Sequence, residues 1–267
     1  MNDPMDHSMD HTLWPNGLWP NGAQAAVCLS YDDTLPCHHQ LVGPVLEDHG
    51  LRGTFYTPIR RDLIDNTAAW RQLAERGHEL GNHTIFHPCR REAAAGGTCL
   101  ENWNNLVNFT AARFRNEVEV ANFVLHLIDG KAERTYGNTC HDVFIGPTEA
   151  RERIEPILAD FFVAARGECT NQPAIPATAD LANLGTTAAD GHTFIEWREC
   201  VEQAVAVGGL LIFTFHGVGR GYQRIQVAEQ EHLQLVRWLR DNRDRIWTAP
   251  VIEAARRLRL WRASEPR

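Results

Sequence analysis

The sequence has no apolar run near the roughly 20 residues that a bilayer-spanning helix takes. Neither a bilayer-spanning helix nor a membrane partner is therefore expected. There is no excess of basic residues: Lys and Arg total 26 against 34 Asp and Glu, and the formal net charge is −8. Binding nucleic acid through its phosphates needs a cationic surface, so that partner is not expected. The seven cysteines (Cys28, Cys37, Cys89, Cys99, Cys140, Cys169 and Cys200) contain no CxxC pair and are odd in number. Neither a zinc ribbon nor a disulfide framework follows from such a scatter, and the thiols read as small buried residues. The opening MNDPMDHSMDHTLW is acidic and lacks the apolar centre of a secretory signal. Free thiols without such a signal point to the cytoplasm.

What is present is enough for one large α/β domain: 267 residues, of which 43% are hydrophobic. Residues 1–22 are polar and carry LWPNG twice, at 13–17 and 18–22. Pro-Asn-Gly is turn chemistry, and two copies are too few for a repeat fold. The segment reads as an arm that packs Trp14 or Trp19 on a domain spanning 23–267. His7 and His11 read as solvated residues of that arm.

From residue 23 the pattern alternates. Strands are expected at 25–31, 53–57, 78–81, 132–136, 161–165, 210–215 and 245–248. Helices are expected at about 39–49, 67–77, 108–130, 148–158, 194–207, 226–242 and 250–260. Strands that alternate with helices imply parallel pairing through helical crossovers. About seven such units suggest a (β/α) barrel, and the unbroken apolar run LLIFTF fits a strand covered on both faces.

Polar residues just past the C-terminal ends of barrel strands read as catalytic. Three strand ends qualify. The first carries Asp32 and Asp33, the third leads to His83 and His87 in GNHTIFHP, and LLIFTF ends at His216. His-x-x-x-His is a sound spacing for one metal ion. Neighbouring side chains on a strand point to opposite faces, so Asp32 and Asp33 can share a site only if the strand ends and the chain turns there. Asp33 is then free to bind a metal while Asp32 serves as a base. Read blandly, the Asp pair caps a helix and His216 is a core histidine.

The order SYDD, NHTIFHP, LLIFTFHG resembles the polysaccharide deacetylase, or NodB-homology, family. RGTFY at 52–56 and GHELGNHT at 77–84 match its phrasing too, and the likeness extends over about residues 23–260. The resemblance implies a distorted (β/α) barrel of about seven parallel strands. It implies one divalent ion, zinc or cobalt, on Asp33, His83 and His87, with Asp32 as general base and His216 as general acid. It also implies removal of acetyl groups from an acetylated carbohydrate. Two of the family's motifs depart here. In ERTYGNTC, Arg134 stands where an arginine would hold Asp32, and Tyr136 where a backbone N–H would face the oxyanion, but the motif's proline is missing; an ordinary strand end is the other reading. In FIEW, Glu196 stands where a carboxylate would partner His216, and Trp197 is equally a packing residue. Cys37, His38 and His39 follow the Asp pair, the two histidines reaching the site or, more simply, starting the next helix. The polar stretch 88–107 is a candidate substrate wall. The altered motifs keep open a metal-dependent amidohydrolase acting on a small non-carbohydrate amide, such as a cyclic ureide or imide. A sugar-binding module without catalysis is disfavoured, because binding needs no acid and base.

Overall fold

The computed structural model describes residues 17–91, 102–221 and 225–264. Its centre is a closed barrel of seven parallel strands: β1 (Ala25–Asp32), β2 (Thr54–Thr57), β3 (Glu79–Asn82), β4 (Tyr136–Gly137), β5 (Ala165–Cys169), β6 (Leu184–Ala188) and β7 (Leu210–Phe215). Closure comes from β1 against β7, in register from Ala26↔Leu210 to Tyr31↔Phe215. An eighth strand, β8 (Ile246–Thr248), pairs with the first half of β1, and β2 pairs with the second half. β8 is therefore a flap on β1 and not a stave of the closed ring.

The helices are α1 (Gly43–Asp48), α2 (Arg61–Asp65), α3 (Thr67–Glu75), α4 (Ala111–Asp129), α5 (Glu155–Phe161), α6 (Phe194–Ala206), α7 (Glu229–Asp241) and α8 (Val251–Ser264). Most fall where the periodicity puts them. The strand at 161–165 moves to 165–169, because α5 starts at Glu155, with Pro156 suited to its first turn, and continues through Phe161. β6 has no counterpart among the expected strands. Its sequence, LGTTA, lacks an apolar run because it turns threonine into the barrel, where Thr186 Oγ1 meets Thr214 Oγ1 at 2.6 Å.

Period-two alternation sorts the strand residues into two environments. Val27, Leu29 and Tyr31 of β1, Phe55 of β2, Leu80 of β3, and Leu211, Phe213 and Phe215 of β7 join the core under the helices, with Trp70, Trp197 and Leu235. Ala26 and Cys28 of β1 and Leu210 and Ile212 of β7 join a second core with Val251, Ala255 and Leu258 of α8. α8 thus plugs the N-terminal mouth of the barrel. The described end of the arm belongs to the same core: Trp19 is buried against Trp247, and its indole donates to Gly208 O at 3.1 Å. Trp14, His7 and His11 lie outside the described residues.

Further up β1 the inward face turns polar, with Ser30 and then Asp32, and on β7 Thr214 follows Ile212. The lower end of this polar interior is tied by Glu79. Its carboxylate accepts from Thr54 Oγ1 (2.8 Å), Thr135 N (2.8 Å), Thr135 Oγ1 (2.7 Å) and Ile252 N (3.0 Å). One buried side chain thereby satisfies β2, the approach to β4 and the N-terminal turn of α8, where a negative charge is favoured. Glu79→Leu would strand all four donors. It is expected to lower stability by at least about 3 kcal/mol in denaturant unfolding.

Candidate active site

The site occupies the C-terminal mouth of the barrel. β1 ends at Asp32, and Asp33 and Thr34 follow with φ of 86° and 54°. This left-handed turn brings consecutive carboxylates to one rim. Asp32 continues the inward alternation, and Asp33 swings out over it.

The second segment follows β3. Thr84 and His87 also have positive φ, at 64° and 55°. The loop is held from below by α4: Glu117 Oε1 accepts from Ile85 N (3.1 Å) and Phe86 N (3.0 Å), and Asn82 Nδ2 donates to Val118 O (2.8 Å). His83 and His87 stand with ring centroids 4.8 Å apart. His83 Nδ1 lies 2.7 Å from Gly137 O, a group that only accepts, so Nδ1 carries the proton and Nε2 presents a lone pair. Burial is the main reason that the pKa of His83 falls to about 3 and that of His87 is also lowered, so both rings are neutral.

Donor atoms of Asp33, His83 and His87 lie within 4.8 Å of one another. His87 Nε2 is 3.3 Å from Asp33 Oδ1. Two of these atoms, His83 Nε2 and Asp33 Oδ1, are buried without a hydrogen-bond partner. Buried polar atoms seldom go unsatisfied. Two imidazoles and a carboxylate with converging, unsatisfied donor atoms fit a divalent cation that keeps an open coordination position. Arg60 guards the same edge, with Nη2 3.4 Å from Asp33 Oδ1.

Asp32 has a different partner. Arg166, on β5, donates from Nη1 to Oδ1 at 2.8 Å and from Nη2 to Oδ2 at 2.7 Å. Both side chains are buried. Burial alone would raise the Asp32 pKa, but the charge of Arg166, followed by His83 and His216, overrides it and holds the carboxyl well below the usual range. Arg166 also bonds Thr214 Oγ1 (2.9 Å) and lies over the Tyr56 ring at 4.6 Å. A side chain at Gly81 or Gly137 would run into that ring, so those two glycines leave its space open.

Just past β7, the strand paired with β1, stands His216. Asp190, just past β6, accepts from its backbone N–H (3.3 Å) and binds its Nδ1 (2.5 Å). Burial would lower the His216 pKa; the hydrogen bond to Asp190 and the charge of Asp32 reverse this and raise it.

With this geometry in view, the comparisons with known proteins are direct. Residues 20–138 match the polysaccharide deacetylase family. That match takes in a little under half of the chain. A putative polysaccharide deacetylase from Mycobacterium smegmatis superposes with a TM-score of 0.62 at 18% identity, over 91% of this chain and 93% of that one. Bacillus subtilis PdaA, a family 4 carbohydrate esterase, gives 0.51 at 13% identity over 86% and 80%. A pseudoenzyme of the same esterase family from Bacillus anthracis gives 0.50 at 13% identity, over 86% of this chain and 65% of that one. A gellan lyase from a Bacillus species is 24% identical over 189 residues, which make up 67% of this chain but only 6% of that protein. These likenesses show the fold, a NodB-type barrel.

Three expected placements are not met in the structure. Arg134 does not reach Asp32. It is buried below the strands, paired with Asp129 at 3.1 Å and bonded to Leu80 O at 2.8 Å. Its neighbour Thr135 faces the interior, and the arginine at Asp32 comes from the next strand instead. Tyr136 packs its ring outward on Phe114 and Phe162, and its N–H is spent on Ala164 O at 3.0 Å. Glu196 is exposed and closes a capping box with Thr193 at the start of α6, so Asp190 is the carboxylate that meets His216. Arg166 and Asp190 were hidden because the strands that carry them were misplaced or missed. Moving the fifth strand to 165–169 and adding a sixth puts both residues on the rim.

The cysteines also need correction. Cys89, two residues past His87, forms a disulfide with Cys140 in the loop after β4, with 5.6 Å between Cα atoms. Thr139 Oγ1 donates to Pro88 O across the same contact. Arg90 N bonds Asp142 Oδ2 at 2.7 Å. The loop bearing His87 is thus strapped to its neighbour. Residues 92–101 of the candidate substrate wall lie outside the described residues. At its described end, Trp103 meets Phe86 edge-on at 5.3 Å. A non-reduced digest is expected to yield one peptide pair linked through Cys89 and Cys140. Cys89→Ser is expected to cost about 2–4 kcal/mol in unfolding experiments.

Proposed function

We propose that the protein is a metal-dependent hydrolase that removes acetyl groups from N- or O-acetylated carbohydrate. One observation supports this above the others. Two titratable groups at the ends of paired strands in a single mouth, Asp32 and His216, have environments that push their pKa values apart, beside a converging donor set. Asp33, His83 and His87 are the residues that would hold zinc or cobalt. When bound, such an ion supplies Lewis acidity, making water more acidic and drawing charge from a carbonyl oxygen.

The side chains account for the proton transfers. Arg166 takes one lone pair on each Asp32 oxygen and fixes the carboxylate plane. The outer lone pairs remain to accept a proton from the attacking water. His216, with Nδ1 engaged by Asp190, presents Nε2 and gives its proton to the departing amine or alcohol as the acyl bond breaks. Fold neighbours include the peptidoglycan N-acetylglucosamine deacetylase Bc1960, at TM-score 0.52 and 16% identity. That name favours an N-acetyl sugar as the first substrate to try. The disulfide beside His87 weighs against a reducing cytosol as the working compartment. Among the described residues no helix is long and apolar enough to cross a membrane.

The test is acetate release from chitin and peptidoglycan fragments and from acetylated xylan by zinc- or cobalt-loaded protein. Chelation should abolish it, and Asp32→Asn should lower kcat by about 10²- to 10⁴-fold. Turnover of cyclic imides with no turnover of any acetylated sugar would overturn the substrate class.

The pH profile tests the two proton carriers separately. Asp32 is active when ionised, so its titration sets the acid limb of kcat/KM. Arg166→Met removes the charge that depresses its pKa and should move that limb to higher pH. His216 is active when protonated and sets the alkaline limb. Asp190→Asn removes the interaction that raises its pKa and should move that limb to lower pH.

A further inference from the structure

His38 is fully buried a few residues past the Asp pair, at the start of a π-helical turn, His38–Val42. Its ring lies among Tyr31, Phe55 and Trp70, with centroids 5.9, 5.6 and 6.2 Å away. A phenylalanine or leucine would fill such a box without carrying polar atoms into it. Both ring nitrogens are nevertheless used. Leu35 N–H donates to Nδ1 at 3.3 Å, and Nε2 lies 2.9 Å from His216 O. A backbone amide only donates and a backbone carbonyl only accepts, so Nδ1 is bare, Nε2 carries the proton and the ring is neutral. The ring is a short rod between two loops: the turn that follows Asp32 and Asp33, and the residue that follows the neighbouring strand β7, 178 positions away in sequence.

Added to the two contacts from Asp190, this bond leaves His216 with its N–H, its carbonyl and its Nδ1 all engaged. Among the described residues, only Nε2 is left without a partner. Its aim depends on where the backbone is held, and His38 holds the carbonyl. His39, next in sequence, does something else: it binds Asp62 at 3.1 Å, which also accepts from the Trp70 indole at 3.0 Å.

We infer that His38 is a positioning residue for the reaction, fixing the backbone of His216 relative to the Asp32 turn so that Nε2 meets the leaving group. This rests on the reading of His216 as proton donor. The experiment therefore compares two substrates that differ in their need for that proton. An N-acetyl chitooligosaccharide loses an amine that must be protonated, whereas 4-nitrophenyl acetate loses a phenolate that need not be.

Three variants are assayed as zinc-loaded protein, with circular dichroism to confirm folding. His216→Ala should lower kcat on the amide far more than on the aryl ester. If it lowers both alike, the proton-donor reading fails, and the inference about His38 fails with it. His38→Asn reaches only the Leu35 side of the ring's position and forfeits the bond to His216. It should lower kcat on the amide by about 10- to 100-fold, part of a general acid's usual worth, with KM and the ester rate little changed. His38→Gln extends an amide donor towards His216 O and should restore the amide rate to near the parent value. If His216→Ala behaves as expected but His38→Asn leaves the amide-to-ester ratio unchanged, or His38→Gln loses that ratio as Asn does, His38 is packing alone. Should His38→Asn fail to fold, the ratio in His38→Gln decides: retained, it upholds the inference; lost, it overturns it.

Discussion

The ion pair between Asp32 and Arg166 is the constraint that organises the barrel interior. Neither charge is tolerable there without the other, because a buried unpaired ion costs several kcal/mol. Each is also tied to a different wall, Asp32 to β1 and Arg166 to β5. The pair needs donors and acceptors around it, and Ser30, Thr186 and Thr214 supply them in place of aliphatic side chains. It needs a face to lie on, which is Tyr56. Tyr56 in turn needs the empty space above Gly81 and Gly137. A layer of small and hydroxylated residues in mid-barrel thus follows from one bidentate contact. Below it the barrel can close on apolar packing with α8.

Above that layer the backbone is held in conformations most residues avoid. Asp33, Thr34, Thr84, His87, Cys140 and His141 all have positive φ, and every one lies in a loop at the same mouth. Such residues cost on the order of 1–3 kcal/mol each and persist only where surrounding contacts over-determine them. Here the contacts are specific: Glu117 beneath the His83–His87 loop, the Cys89–Cys140 bond beside it, and Asp190 and His38 on either side of His216. The strain and its supports sit together because converging donor atoms must be aimed by loops, and the rigid strands fix where those loops start.

Fold alone does not decide whether such a barrel catalyses anything, as a neighbour described as a pseudoenzyme makes plain. The proposed catalysis depends on opposed electrostatics. Asp32 is kept ionised by a cation at its back, and His216 is biased towards its protonated form by an anion at its back. A binding surface has no use for that asymmetry. A proton-transfer reaction needs a base and an acid present together at one pH.

Local pattern in the chain was enough to read the alternation of elements, the three strand-end motifs and the grouping of Asp32, Asp33, His83, His87 and His216 on one rim. These are local properties. Hydrophobic period, a turn after Asp32 and the i, i+4 spacing of two histidines depend on neighbours a few residues away. Which residue supports which became visible in the folded barrel. Arg166 replaced Arg134 because strand alternation turns Thr135, and not Arg134, towards the interior, while a guanidinium from the adjacent strand reaches the carboxylate. Asp190 replaced Glu196 because the capping geometry of α6 spends Glu196 on its own backbone. Cys89 found Cys140, and His38 found a carbonyl 178 positions away, for the same reason. Contacts between distant segments are set by the closure of the barrel, and closure leaves no periodic trace in the chain.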